Sequence, residues 1–127
     1  MTTSDEIILS IPRDRSVYRV AHLVLGGLGI RLNLTIEHLE DLQLALESVL
    51  DRVRANAVTV TLRVNDDEIE MLVGPMSDGV RAELAEEGGK DVGLRRILDA
   101  VVDSAELVPG DEGDCLKMTK AVAKEDG

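Results

Sequence analysis

Residues 35–55 constrain the fold most, because their apolar side chains predict one long amphipathic helix. These side chains recur at steps of three and four, the spacing that places residues on one face of an α-helix. They are Leu39, Leu42, Leu46, Val49, Leu50 and Val53. Thr35 is a suitable N-cap for this helix and Asn56 a suitable stop. We therefore expect the apolar face to lie in the core of the protein.

Two carboxylates accompany this apolar face. At about 100° per residue, Glu47 lies roughly 100° from the centre of the face and Asp51 about 140°, one turn further along. Both side chains are therefore expected at the edge of the buried face, where a cleft could begin. This pair is the candidate site of the sequence, since few other groups that could carry chemistry converge.

The other reactive side chains have ordinary structural explanations. His22 and His38 lie on different predicted helices without a cysteine or carboxylate at ligand spacing, so a zinc site is not expected. Cys115 opens a predicted strand, and free cysteines more often behave as small buried hydrophobes than as nucleophiles. The acidic runs at 66–68 and 111–112 have the composition of turns.

Alternation of apolar and polar residues predicts two β-hairpins. The first joins residues 58–64 to 68–73 around turn residues 65–67, and the second joins 105–108 to 116–122. A further strand at 6–11 is expected at a sheet edge, because Pro12 removes a backbone donor. Helical spacing predicts three helices besides the central one, at residues 13–32, 80–87 and 91–102, the last with Asp91 as a possible N-cap.

The first of these helices has two apolar rows. The main row is Val17, Val20, Ala21, Val24 and Leu28, and the second row is Tyr18, Leu25 and Leu32. A second row indicates either deep burial in one core or a second contact surface, such as a subunit interface. Burial is the more common explanation.

The order of elements predicts an α+β fold. We expect a two-layer α/β sandwich, in which helices cover one face of a mixed, mostly antiparallel sheet of about five strands. The 127 residues fit one domain, 1–127, with residues 1–5 and 123–127 expected to be flexible.

Charge and composition exclude several classes of function. The formal net charge of −11 repels a phosphate backbone, so binding of nucleic acid through a basic surface is not expected, whereas a basic protein partner is allowed. No apolar run reaches the roughly 18 residues that a membrane span needs. A lone cysteine and the absence of a secretory signal indicate a cytoplasmic protein.

Three stretches carry a resemblance to a known family: ILSIPRDRSVYRVAHLV at 8–24, LEDLQLALESVLDRV at 39–53 and GGKDVGLRRILDAVVDSAEL at 88–107. They resemble the anti-sigma-factor serine protein kinases, a branch of the GHKL ATPases with the Bergerat, histidine-kinase-like ATP-binding fold. The first stretch is similar to the opening strand, proline and first helix of the family. The second is similar to its second helix, and the third to its last glycine box, final helix and following strand.

The resemblance implies a nucleotide site on the second helix. There the family carries a glutamate as general base and, four residues later, an asparagine that holds Mg²⁺ on the triphosphate of ATP. Glu47 matches the base, whereas Asp51 occupies the asparagine position and adds a negative charge beside the phosphates. Gly88, Gly89 and Gly93 resemble the phosphate-facing glycines of the family.

The sequence departs from the family after the first hairpin. Family members place an Asp-x-Gly-x-Gly box there, whose aspartate accepts a hydrogen bond from adenine, but this chain reads Val73-Gly74-Pro75-Met76. Loss of that buried acceptor should cost about 1 to 3 kcal/mol of binding free energy. We therefore expect the fold to be present with a degenerate nucleotide site.

Three functions follow from these expectations. The first is an anti-sigma-like regulator that binds a sigma factor, an anti-anti-sigma (STAS) antagonist or both, with little ATP turnover. The resemblance adds a homodimer through the first strand and helix. The alternative is an active kinase that uses Mg-ATP to phosphorylate a serine of the STAS antagonist, with Glu47 as base. A third is a dimerisation module alone.

Overall fold

The computed structural model describes residues 5–32, 34–53, 56–65, 67–85 and 93–122, and within them the chain forms five strands and four helices. The strands are β1 (Asp5–Pro12), β2 (Ala57–Val64), β3 (Glu68–Gly74), β4 (Ser104–Val108) and β5 (Cys115–Ala121). The helices are α1 (Arg15–Leu32), α2 (Ile36–Leu50), α3 (Val80–Ala85) and α4 (Leu94–Val101).

The described strands form one open sheet in the order β1-β2-β3-β5-β4. Each neighbouring pair is antiparallel, so the expected mixture of strand directions is wrong. The α+β class, the edge position of β1 and both hairpins are confirmed. Tight turns join antiparallel strands directly, which is why local alternation is enough to predict these hairpins.

The helices cover one face of the sheet. Strand side chains that point to this face are fully or almost fully buried, as are the apolar side chains of α2 that meet them; examples are Val58, Val60, Leu62, Met71, Leu46 and Val49. The opposite face carries charges: Arg63 Nε lies 2.8 Å from Glu6, and its Nη1 lies 2.9 Å from Glu70. One apolar face and one polar face make the sheet half of a two-layer structure.

Helix α1 buries residues of both predicted rows, among them Ala21 and Leu28 of the main row. Leu25 is buried, and Tyr18 and Leu32 pack partly buried against the core. Val20 was expected in the main core row, but its side chain is 42% exposed. That prediction is wrong because both faces of α1 are apolar, and the helical period alone does not choose between them.

Several element ends differ from the expected ones. Helix α2 ends at Leu50 rather than at residue 55, because Val53 forms an isolated antiparallel bridge with Met76 and so needs an extended backbone. Asp5, expected to be flexible, begins β1, and Gly93 caps α4. Residues 1–4, 33, 54–55, 66, 86–92 and 123–127 lie outside the described residues, and with them the expected N-cap Asp91 and the flexible tail.

Lys120 ties the helical layer to the sheet. Lys120 is a residue of β5. Its Nζ donates to the carbonyl of Val101 at the end of α4 (2.8 Å) and pairs with Asp41 of α2 (3.1 Å). The Lys120 side chain is only 12% exposed. Both partners would lose this donor if the ammonium were removed, which is costly where water cannot replace it.

We expect Lys120→Met to lower the free energy of unfolding by about 1 to 3 kcal/mol, because Val101 and Asp41 lose their donor. The measurement is urea denaturation followed by circular dichroism. Lys117→Met is the matched control, since Lys117 lies on the same strand but pairs with Glu70 on the open face of the sheet. Lys117→Met should lower the free energy of unfolding by less than about 1 kcal/mol. Equal losses for both variants would contradict this role of Lys120.

Candidate functional site

The two candidate carboxylates border a cleft between α1 and α2. Tyr18, Arg19 and His22 of α1 line one side, and Glu47 and Asp51 line the other. The cleft has a volume of about 300 Å³. The sequence therefore placed these two carboxylates correctly beside a cleft, although Asp51 caps the helix rather than lying inside it.

Tyr18 fixes the relative position of the two helices at this cleft. Its hydroxyl donates to the carbonyl oxygen of Leu50 at 3.1 Å. The last carbonyls of a helix have no partner within the helix, so a donor from a neighbouring helix satisfies one of them. The hydrogen bond holds the C-terminus of α2, and Asp51 with it, against α1.

The cleft holds charges of both signs. His22 Nε2 lies 3.9 Å from Glu47 Oε2, which is too far for a hydrogen bond. The two side chains are 33% and 64% exposed, respectively, so their interaction is that of a weak surface pair. Arg19 adds a cation to the α1 wall. The arrangement suits contact with a polar or charged surface more than it suits catalysis by a buried base.

Arg52, which follows the C-terminus of α2, contacts α3. Its Nε lies 2.7 Å from Glu83 of α3, and its Nη1 donates to the backbone carbonyl of Ser48 at 2.6 Å. The chain just after α2 is thereby joined to α3, whereas Glu47 lines the cleft beside α1.

The remaining predicted site residues lie apart from this pair. Gly93 is the N-cap of α4, where no side chain caps the helix, and it does not line the cleft. Gly88 and Gly89 lie outside the described residues. The structure therefore brings Glu47 together with Asp51 and with residues of α1, and not with Gly93. The roles of base and of phosphate-facing glycines stay predictions.

The segment at 74–76, where the resemblance would place an adenine-binding box, is packed against β5. A Cβ atom on Gly74 would lie 2.5 Å from Cys115 Sγ and 3.1 Å from Cys115 Cα, so the glycine is needed for this close approach. Burial raises the pKa of the Cys115 thiol, and the carboxylates of Asp114 and Asp111 raise it further. The thiol is protonated at neutral pH, as expected for a cysteine that is not a nucleophile.

The described part of the chain shows no group of side chains arranged as a metal site. Among the residues that the structure describes, no three or more His, Cys, Asp or Glu side chains are grouped to hold an ion. Mg²⁺ on a triphosphate can use one or two protein carboxylates, so the ligand role of Asp51 stays a prediction.

No described helix is both long and apolar enough to cross a membrane.

Comparison with known proteins does not place the chain in a family. No protein-family model matches the chain, and no curated protein matches it.

Arg19 and His22 line the cleft, but neither was predicted from the sequence as a residue of this site. Both side chains reach Glu47 and Asp51 only because α1 packs beside α2, and no local spacing encodes that arrangement. One signal was available: Tyr18, the only aromatic residue in the chain, lies one helical turn before His22.

We expect Gly74→Ala to lower the free energy of unfolding by about 1 to 3 kcal/mol, because the new methyl group meets Cys115. The matched control is Gly26→Ala, where nothing lies within 4 Å of the added Cβ. That variant should gain up to about 1 kcal/mol, since alanine favours the helix interior. Thermal unfolding measures both, and a stable Gly74→Ala protein would show that Cys115 does not require this glycine.

Proposed function

We propose that the chain is a regulator that acts by binding another protein, as the resemblance to anti-sigma factors suggests, with little or no ATP turnover. The observation that carries the proposal is an exposed apolar surface on α1. We call this surface the α1 outer face and define it by Val20, Leu23, Gly26, Gly27 and Ile30.

The α1 outer face lies opposite the buried row of the same helix. Val20, Leu23 and Ile30 are 42%, 69% and 86% exposed, respectively. Steps of three and seven residues place these side chains on one side of the helix. A Cβ added to Gly26 or Gly27 would meet nothing within 4 Å, so packing inside the chain does not require these glycines. Contiguous exposed apolar surface of this kind marks interaction sites.

The charge around the α1 outer face indicates the chemistry of the partner. Helix α1 contains three arginines and no Asp or Glu, although the whole chain has a net charge of −11. Arg19 and Arg31 are exposed and lie on its two borders. An amphipathic helix with acidic side chains beside its apolar row would complement this surface in both respects. We assign that helix to a sigma factor, with a STAS antagonist as the second partner, in the cytoplasm.

The geometry of the cleft supports binding over phosphoryl transfer. Glu47 lines the cleft beside α1, whereas Gly93, the described glycine that the resemblance assigns to the phosphates, does not line it. The kinase alternative is favoured by one observation, namely that Arg19 lies in the same cleft as Glu47 and Asp51 and could meet a phosphate. Arg19 also borders the α1 outer face, so cleft and outer face are continuous.

A homodimer through β1 and α1 is a second proposal. The edge strand β1 exposes Ile8 (61%) on the open face of the sheet, the face that Glu6 shares, and α1 contacts β1 from the helical layer. An unpaired strand edge can pair with another copy of the same strand. A dimer of this kind would form through β1 and α1, as the resemblance implies.

We expect the double variant Leu23→Glu, Ile30→Glu to bind its partner at least about 10-fold more weakly, a loss of about 1.4 kcal/mol, because charges enter an apolar contact. Biolayer interferometry against the sigma factors and STAS proteins of the source organism measures this. Ile36→Glu is the matched control, since Ile36 is 74% exposed but starts α2. Sedimentation equilibrium of the same variants shows whether the outer face instead joins two copies.

Phosphoryl transfer is tested on the same partners. We expect no phosphoserine, by mass spectrometry, on a STAS protein incubated with the chain and Mg-ATP. Phosphorylation that is lost in Glu47→Ala would establish the kinase alternative.

In the binding experiment, equal affinities of the wild type, the Leu23→Glu, Ile30→Glu double variant and Ile36→Glu would contradict the assignment of the α1 outer face.

A further inference from the structure

A second cleft lies between α3, α4 and β4, away from the site described above. Arg81 of α3 and Arg95 of α4 line it together with Leu84, Glu106 and Leu107, and its volume is about 280 Å³. We infer that this cleft binds a carboxylate carried on a short aliphatic stem. The inference is independent of the proposed function, because no residue of the α1 outer face or of the α1–α2 cleft takes part.

Arg95 is the residue that first points to a ligand. Its Nη2 donates to the carbonyl of Ala105 on β4 at 2.8 Å, and its Nη1 lies 3.5 Å from Asp99. Among the described residues, its Nε is the side-chain atom that is buried without a hydrogen-bond partner. A buried donor without an acceptor lowers the stability of the fold, and the usual explanation is that an ion or a water molecule accepts its hydrogen bond.

The bond to Ala105 places the guanidinium of Arg95 beside β4. A guanidinium presents Nε–H and one Nη–H side by side, the geometry that matches the two oxygens of a carboxylate. The Nη2 group has two hydrogens, so its bond to Ala105 leaves one of them available. Arg95 is therefore positioned to offer this pair of donors after a small rotation of its side chain.

The remaining lining defines the charge and shape of the ligand. Arg81 brings a second cation, whose Nη2 lies 2.9 Å from Asp114, and its side chain is 72% exposed. Leu84 and Leu107 pack partly buried against the core and form apolar walls. Glu106 also lines the edge of the cleft, so a carboxylate group, which carries one charge, is favoured over a phosphate group, which carries more charge at one point.

The position of the cleft allows two sources of the carboxylate. Strand β4 is an edge of the sheet, so an extended peptide can approach it from the open side. A free dicarboxylate of similar size is the other source. The chemistry at Arg81 and Arg95 is the same for both, and two probes separate them.

The test follows the Nε–H resonance of Arg95 by two-dimensional NMR. The probes are glutarate and a capped Leu-Glu-Leu tripeptide, with Leu-Gln-Leu and inorganic phosphate as comparisons. We expect a saturable downfield shift with glutarate or Leu-Glu-Leu, and whichever binds more tightly identifies the source. Leu-Gln-Leu and phosphate should bind at least about 10-fold more weakly.

Variants decide whether the cleft produces the response. Arg81→Gln should weaken binding at least about 10-fold while the fold is retained, since Arg81 is largely exposed. Arg96→Gln removes an exposed arginine of α4 that does not line the cleft, and it should leave the affinity unchanged. No response of Arg95, an equal response to Leu-Gln-Leu, or equal affinities of the two variants would overturn the inference. A resonance already downfield without a probe would show that water or another group of the chain fills the cleft, and would overturn it too.

Discussion

The contact between the aliphatic face of α2 and the sheet is the constraint on which the rest of the structure depends. Leu46 and Val49 are completely buried there. The chain has a single aromatic residue, so the core is closed by branched aliphatic side chains and methionines that must fit closely. Once this face is buried, the rotation of α2 about its axis is fixed. Every other residue of the helix then has a defined direction.

That fixed rotation decides what the carboxylates can do. Helix α2 presents Glu47 to α1, and Arg52, just after the end of α2, pairs with Glu83 of α3. Asp41 joins α2 to β5 through Lys120, which further resists rotation. The candidate base thus lies beside a basic helix with an exposed apolar face. This placement favours a binding surface over a nucleotide cleft.

The sequence predicted those elements whose signal is local. Both hairpins and the edge strand follow from alternation and from Pro12, and the position of Glu47 beside a cleft follows from the period of one helix. The exposure of Val20 could not be predicted, because Val20 and Leu25 are both apolar and only packing separates them. The early end of α2 depends on a bridge to Met76, 23 residues after Val53 in the chain. Arg19 joins the cleft through helix packing that no single segment encodes.

Binding of Mg-ATP tests the central claim most directly. A ligand at about 100 times its Kd stabilises a protein by roughly 2.7 kcal/mol, which a thermal-shift titration detects easily. We expect the unfolding temperature to stay unchanged up to millimolar Mg-ATP, because residues 74–76 carry no carboxylate at the position where the resemblance would place the adenine acceptor. A saturable rise that disappears in Glu47→Ala would contradict a regulator that acts by protein binding alone.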